Sequence, residues 1–382
     1  MSRIRFTLIA LLAATGVAAG GCGGGDEKTS DTSSGSDSSG APAFAVEGAK
    51  KSLSDQGTFI EAPTKPVKPA KDKKLMLISC GQAISACQFD TAAAAEAAKE
   101  LGWKSTIYDT KGDPTNAATG IRQAIAGKYD GIFYYYMDCD YARAALEEAK
   151  KADVPVVAAE AFDCNQIEKG APALFTHMVE YQAGTYVQHA RAWGRAIADH
   201  AIWKQGGKSE ALAFLDDTSR GSRPILEGMK QQYAKCDGCK LHVVEFPFSA
   251  FGGKLQSIAA QNLLKYPKVN TTLTTYEAIS LEVAPAVRES GRDILQFVGE
   301  GGEPGLDLIR QGINGYGNGY PLDWEGWAVV DAFARIFNGE KPEPSGIGVQ
   351  TFDKDNHMPD SGRYVSPIDY QSMYRKLWGL EQ

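Results

Sequence analysis

Between residues 75 and 160 short apolar runs alternate with longer stretches of helical character. LMLIS (75–79), STIYD (105–109), GIFYYYM (131–137) and PVVAAE (155–160) are brief and rich in β-branched and aromatic side chains, which predicts strands. TAAAAEAAKELG (91–102), PTNAATGIRQAIAG (114–127) and YARAALEEAKKAD (141–153) predict helices, the first two stopped by glycine. Four strands alternating with three helices predict a parallel sheet with helices on both faces. The near-continuous apolar strands fit a sheet covered on both sides.

A second series repeats the pattern. ALAFLDD (211–217), KLHVVEFPF (240–248), TTLTTY (271–276) and DILQFVG (293–299) predict strands. Helices are predicted over 181–203, 223–235, 252–267, 279–290, 303–312 and 323–339, with GINGYGNG (312–319) as a strand or crossing segment. Two α/β halves of similar build result. Ligands of such open sheets bind at the carboxyl ends of the strands.

The chain start breaks the pattern. Arg3 and Arg5 precede an apolar segment, Phe6 to Ala14, that is too short to span a bilayer. Small residues follow, then Cys22. This is the layout of an export signal over residues 1–21. Gly20-Gly21-Cys22 resembles the lipobox of bacterial lipoproteins, which implies lipidation of Cys22 and a location on the extracytoplasmic face of the cell membrane. The alternative is an ordinary secretory signal with an unmodified cysteine. Gly23 to Gly40 is Gly, Ser, Asp and Thr-rich and reads as a flexible tether. From Ala41 to Lys74 the chain has prolines, lysines and little periodicity, with one short helix near Gly48 to Asp55; the tether is therefore expected over residues 22–72.

The formal net charge is −7 and no basic run follows the signal, which argues against a nucleic-acid partner. Cys22 aside, six cysteines remain in an exported chain. Proximity in sequence suggests Cys80 with Cys87, Cys139 with Cys164 and Cys236 with Cys239, out of 15 pairings, with free thiols as the alternative.

The segment AAKELGWKSTIYDTKGDPTNAATGIRQAIAGKYDGIFYY, the later ALEEAKKADVPVV, and RPILEGMKQQ, QNLLKYPKV, FVGEGGEPGLDLIRQG and KLWGL resemble the type I periplasmic sugar-binding proteins, the ribose-binding-like group. The resemblance spans roughly residues 74–351 and rests mostly on fold signatures, which identify the scaffold better than the ligand. It implies two Rossmann-like α/β lobes with parallel sheets joined by three crossing hinge strands, near Thr176–Glu180, Asn318–Pro321 and Gly348–Thr351. The first lobe is expected over 73–178 plus 319–350, and the second over 179–318 plus 351–382. It also implies a monomeric receptor that closes on a sugar or polyol and delivers it to an ABC permease. No cofactor or metal is implied.

Candidate ligand contacts lie at strand ends. After the first strand come Gln82, Gln88 and Phe89, with a disulfide-closed surface loop as the alternative. The third strand ends near Tyr135 and Asp138. The fourth ends at Glu160, where relatives carry Asp-Arg and this chain has Ala161 in place of the arginine. In the second lobe the resemblance points to Arg223, to Phe251 as a ring against the ligand, to Tyr276 with Glu277, to Glu300, and to Asn318 and Tyr320 on the second crossing. Three carboxylates against one arginine leave two readings. A polyhydroxylated ligand donates its hydroxyls to them, or a cationic ligand sits in an acidic and aromatic cage. A sensor that passes its state to a membrane partner is a further alternative.

An enzyme is the competing class. The sequence has no G-x-S-x-G, H-E-x-x-H or P-loop. Cys236-Asp-Gly-Cys239 follows a predicted helix, whereas a redox motif belongs at a helix start. Acidic residues allow a glycosidase pair, but no spacing favours one.

Overall fold

The computed structural model describes residues 40–381. The signal, Cys22 and the tether up to residue 39 lie outside the described residues. In chain order the helices are α1 (Ala43–Ser52), α2 (Ser85–Glu100), α3 (Ala117–Ala126), α4 (Arg143–Lys151), α5 (Cys164–Ile167), α6 (Tyr186–Lys204), α7 (Ser222–Tyr233), α8 (Lys254–Lys265), α9 (Glu277–Glu289), α10 (Glu303–Arg310), α11 (Leu322–Phe337) and α12 (Tyr370–Leu377). The strands are β1 (Lys74–Ser79), β2 (Lys104–Asp109), β3 (Gly131–Tyr135), β4 (Val156–Ala159), β5 (His177–Met178), β6 (Glu210–Asp216), β7 (Lys240–Phe246), β8 (Thr271–Thr274), β9 (Leu295–Phe297), β10 (Gly315–Gly319) and β11 (Gln350–Asp353).

They form two sheets. The first runs β2-β1-β3-β4-β5 and is parallel throughout. The second runs β11-β10-β9-β8-β6-β7 and is parallel except for the antiparallel β10/β11 edge. Strands β3 and β4 are buried at every position, as their apolar runs required. The longest described helix, α6, starts at a side-chain cap. Thr185 and Gln188 form a reciprocal capping box at α6, with the Thr185 N–H donating to Gln188 Oε1 at 2.8 Å.

The lobes are linked where the resemblance implied. Past β5 the chain enters α6 of the second lobe, and past β10 it returns to α11 of the first. The third link is pinned by the Ser345 N–H on the Glu180 carbonyl at 2.8 Å and the Gln182 N–H on the Ile347 carbonyl at 2.9 Å. Cys80–Cys87, Cys139–Cys164 and Cys236–Cys239 are the three disulfides, with Cα–Cα separations of 5.5, 5.2 and 5.3 Å. Among the described residues no helix is long and apolar enough to cross a membrane.

Two assignments need correction. Residues 40–72 are not a tether. α1 packs on α6 and buries Ala45 and Ala49; farther on, Phe59 and Val67 are buried. Thr58 and Ile60 donate backbone hydrogen bonds to Val349 and Gly346, Val67 donates to Leu377, and Trp103 Nε1 reaches the Ala70 carbonyl at 2.7 Å. The segment thus touches the second lobe, the third crossing and the first lobe in turn. The chain end also departs from expectation. β11 belongs to the second sheet, but α12 packs on α11 of the first lobe, with Trp378 stacked on Trp327 at 5.4 Å. Its apolar face finds a partner there, so 351–382 is shared between lobes.

Candidate functional site

The carboxyl ends of β3 and β4 carry Tyr135, Tyr136 and Glu160. Facing them, the ends of β6, β8 and β9 carry Asp216, Tyr276 and Glu300. Both sets sit where strand hands over to loop, because parallel strands end together on one edge. Tyr136 and Glu160 both hold left-handed backbone, at φ 56° and 50°. Non-glycine residues adopt that region rarely and at a cost, so two adjacent strand ends so held mark a constrained edge. Gly299, at φ 119°, sets up Glu300; a Cβ there would fall 2.4 Å from Glu277 Cβ.

On the first-lobe side the hydroxyls and carboxylates form one network, and separate bonds stand opposite. Tyr135 Oη donates to Glu160 Oε2 at 3.4 Å. Tyr320 is bonded to Glu160 and donates to Glu325 Oε1 at 3.5 Å. Tyr181 donates to the same Glu325 oxygen. Across the gap Tyr276 Oη donates to Asp216 Oδ2 at 2.9 Å, and Glu300 Oε2 accepts the Glu277 N–H at 2.7 Å. Tyr136 reaches over to bond Ser219. It keeps 41% of its surface exposed although Glu160 lies on one side and Asp216 and Glu300 on the other. Glu160 and Glu300 are likewise only half-buried. These side chains face one another where the lobes meet, with Tyr136, Glu160, Tyr276 and Glu300 keeping part of their surface open in the gap.

Desolvation dominates the electrostatics, because burial disfavours the charged carboxylate. It pushes Glu160 up to about 7, against the opposing bonds from Tyr320 and Tyr135. Burial, then the charge of Glu277, pushes Glu300 up to about 8, with Glu160 adding to the effect. Asp90 and Glu325 behind them are raised well above the carboxylate range by burial and by their mutual repulsion with Glu160 and each other. His189, stacked on Tyr181 at 4.4 Å, is lowered by burial to about 3 and is neutral.

At the mouth of the gap Arg220 of the second lobe bridges to the first. Its Nη1 donates to Asp138 Oδ2 at 2.7 Å, and its Nη2 donates to Asp140 Oδ2 at 2.7 Å. A groove of ≈ 340 Å³ opens beside it, lined by Phe162, Gln166, Arg220, Arg223 and Glu227 among others.

The structure thus draws together Tyr135, Glu160, Tyr276, Glu300 and Tyr320 of the sequence-derived set. Phe251 is adjacent, stacked near Tyr276 at 6.2 Å. Other members have different work. Gln82 Nε2 is turned inward to Ser79 and Thr91, and Gln88 is exposed. Phe89 lies beneath the Arg363 guanidinium at 4.3 Å. Arg223 is exposed and donates to the Asp217 carbonyl. Glu277 caps α10 by accepting the Gly302 N–H at 2.8 Å. Asn318 Oδ1 accepts from Thr351 within the β10/β11 edge. Asp138 accepts from Arg220 and the Phe162 N–H.

Sequence reasoning missed Asp90, Asp216, Glu325, Tyr136 and Tyr181. Asp90 had a signal. It stands one turn before Ala94 on the buried stripe of α2, and an acid on such a stripe demands an explanation.

The periplasmic binding protein domain model matches residues 77–341. No curated protein matches. Solved structures of this fold do. The periplasmic binding protein component of the arabinose ABC transporter from Shewanella sp. ANA-3, bound to α- and β-L-arabinofuranose, has a TM-score of 0.63 at 16% identity, covering 81% of this chain and 98% of that one. An ABC transporter periplasmic solute-binding protein from Actinobacillus succinogenes with bound D-allose has 0.63 at 15%, covering 75% and 98%. An ABC transporter solute-binding protein from Mycobacterium smegmatis with bound glycerol has 0.63 at 16%, covering 77% and 99%. With two lobes, three crossings and strand ends facing one gap, the chain belongs to the periplasmic binding protein domain family.

Proposed function

We propose that this protein is an extracytoplasmic receptor that captures a polyhydroxylated small molecule, a sugar or polyol, and delivers it to an ABC permease. The observation that carries the reading is the gap itself. Tyr135, Tyr136 and Glu160 from one lobe oppose Asp216, Tyr276 and Glu300 from the other. A solute held by both sets favours the closed form by its differential affinity for it. The bound sugars and glycerol of the structural neighbours agree in kind. Cys22, if lipidated, holds a monomer beside its permease; Tyr135, Glu160, Phe251, Tyr276, Glu300 and Tyr320 are the proposed contacts.

A melting screen of sugars, polyols and their amino derivatives tests this. A stabilising solute raises the melting temperature in proportion to ln(1 + [L]/Kd) and is recovered unchanged. A solute consumed during incubation would replace the receptor with an enzyme. Absence of any shift across the screen would remove the receptor reading.

A further inference from the structure

The carboxyl groups of the gap outnumber its cations, and their donors are already committed. Glu160 of the first lobe and Glu300 of the second repel each other across the gap. Behind Glu160 stand Asp90 and Glu325, both fully buried. Neither oxygen of Asp90 has a hydrogen-bond partner, and neither has Glu325 Oε2. Among the described residues none of these four carboxyls takes part in an ion pair. The nearby guanidiniums are occupied: Arg220 on Asp138 and Asp140, Arg223 on a carbonyl, Arg363 on Asp323. His189 is buried and has no polar partner on either ring nitrogen.

The tyrosines do not relieve this. Tyr135, Tyr181, Tyr276 and Tyr320 spend their hydroxyl hydrogens on Glu160, Glu325 and Asp216. A neutral sugar needs donors for its own oxygens as well as acceptors for its hydroxyls. Once ionised, Glu160 and Glu300 present only acceptors to the gap. An ammonium group offers three donors and no acceptor, and its charge offsets the repulsion between the two lobes. Tyrosine faces around it add attraction for a cation.

We infer that the solute is a polyhydroxylated molecule bearing a protonated amine, and that the ammonium sits between Glu160 of one lobe and Glu300 of the other. This rests on the receptor reading above and narrows its substrate class. Capture of the cation ionises carboxyls that are partly protonated in its absence, so binding near neutral pH releases protons to the buffer.

The test pairs each amine probe with a neutral counterpart on the full chain: glucosamine with glucose and N-acetylglucosamine, and 1-amino-1-deoxysorbitol with sorbitol. Titration calorimetry at pH 7 is run in phosphate and in MOPS, whose ionisation enthalpies differ and neither of which is a polyhydroxylated amine. The expected result is binding of at least one amine probe tenfold or more tighter than its neutral partner, with a buffer-dependent enthalpy that reports proton release. Glu300→Gln and Glu160→Gln should each cut that preference at least tenfold, and two variants guard against one failing to fold. Neutral probes binding as tightly as the amines would overturn the amine and leave the receptor standing. Silence from every probe would overturn both.

Discussion

Glu300 shows how one carboxyl links stability to pH. Its unfolded value is near 4.5, and burial in the folded protein raises it to about 8. Between those values the folded form holds a proton that the unfolded chain releases. Stability contributed by the protonated group is therefore complete below pH 4.5 and is lost as pH rises through 8. Glu160, raised to about 7, acts in the same direction over a narrower window. The unliganded protein should melt at progressively lower temperature from pH 5 to 8.5, and Glu300→Gln should flatten that slope. Calorimetric melting at half-unit intervals measures it; an unchanged slope in the variant would assign the titration elsewhere. Such residues were only partly legible in the sequence. Glu160 and Glu300 follow apolar strands and so announce themselves as strand-end groups. Glu325 sits between Trp324 and Gly326 in a helix buried along most of its length, and nothing local says that Tyr181, far away in the chain, will reach it.

At the scale of elements, the helices and strands of the two lobes were readable because each carries its own period. The segment before β1 was not. Its few apolar residues have no repeat beyond the ten residues of α1, and their partners lie nearly 300 positions away, as with Thr58 on Val349. Phe59 is 2% exposed and stacks on Trp324 at 5.7 Å, and that tryptophan stacks in turn on Tyr370 of α12. Trp324 is thus a core residue. Truncating a buried phenylalanine costs about 3–5 kcal/mol through lost transfer energy and the cavity left behind. Phe59→Ala should lower unfolding stability by about that amount, at the smaller end because the segment can settle into the space. Urea denaturation measures the loss. A change under about 0.5 kcal/mol, the size of an ordinary surface substitution, would mean that the strap lies on the body without supporting it.

For the whole molecule the question is what balances open against closed. The resemblance predicted two lobes and three links, and these are present; it was silent on the strap and on Arg220, because a bridge between lobes leaves no local pattern. Arg220 joins Asp138 and Asp140 across the mouth, with its side chain 38% accessible. A pair that exposed is worth about 1 kcal/mol or less, since water screens it. A weak latch suits a receptor. Where both are ionised, Glu160 and Glu300 repel each other and oppose closure, Arg220 partly offsets them, and the solute supplies the difference. Removing the latch should therefore shift the unliganded population toward open without weakening either lobe. Arg220→Ala is expected to enlarge the radius of gyration of the unliganded protein in small-angle scattering and to weaken solute affinity by roughly two- to fivefold, the factor that ~0.5–1 kcal/mol represents. The melting temperature of the unliganded protein should barely move, because Arg220 is not part of either core. If scattering and affinity both match the parent protein, the bridge is a passenger of closure, and the carboxyls alone set the balance.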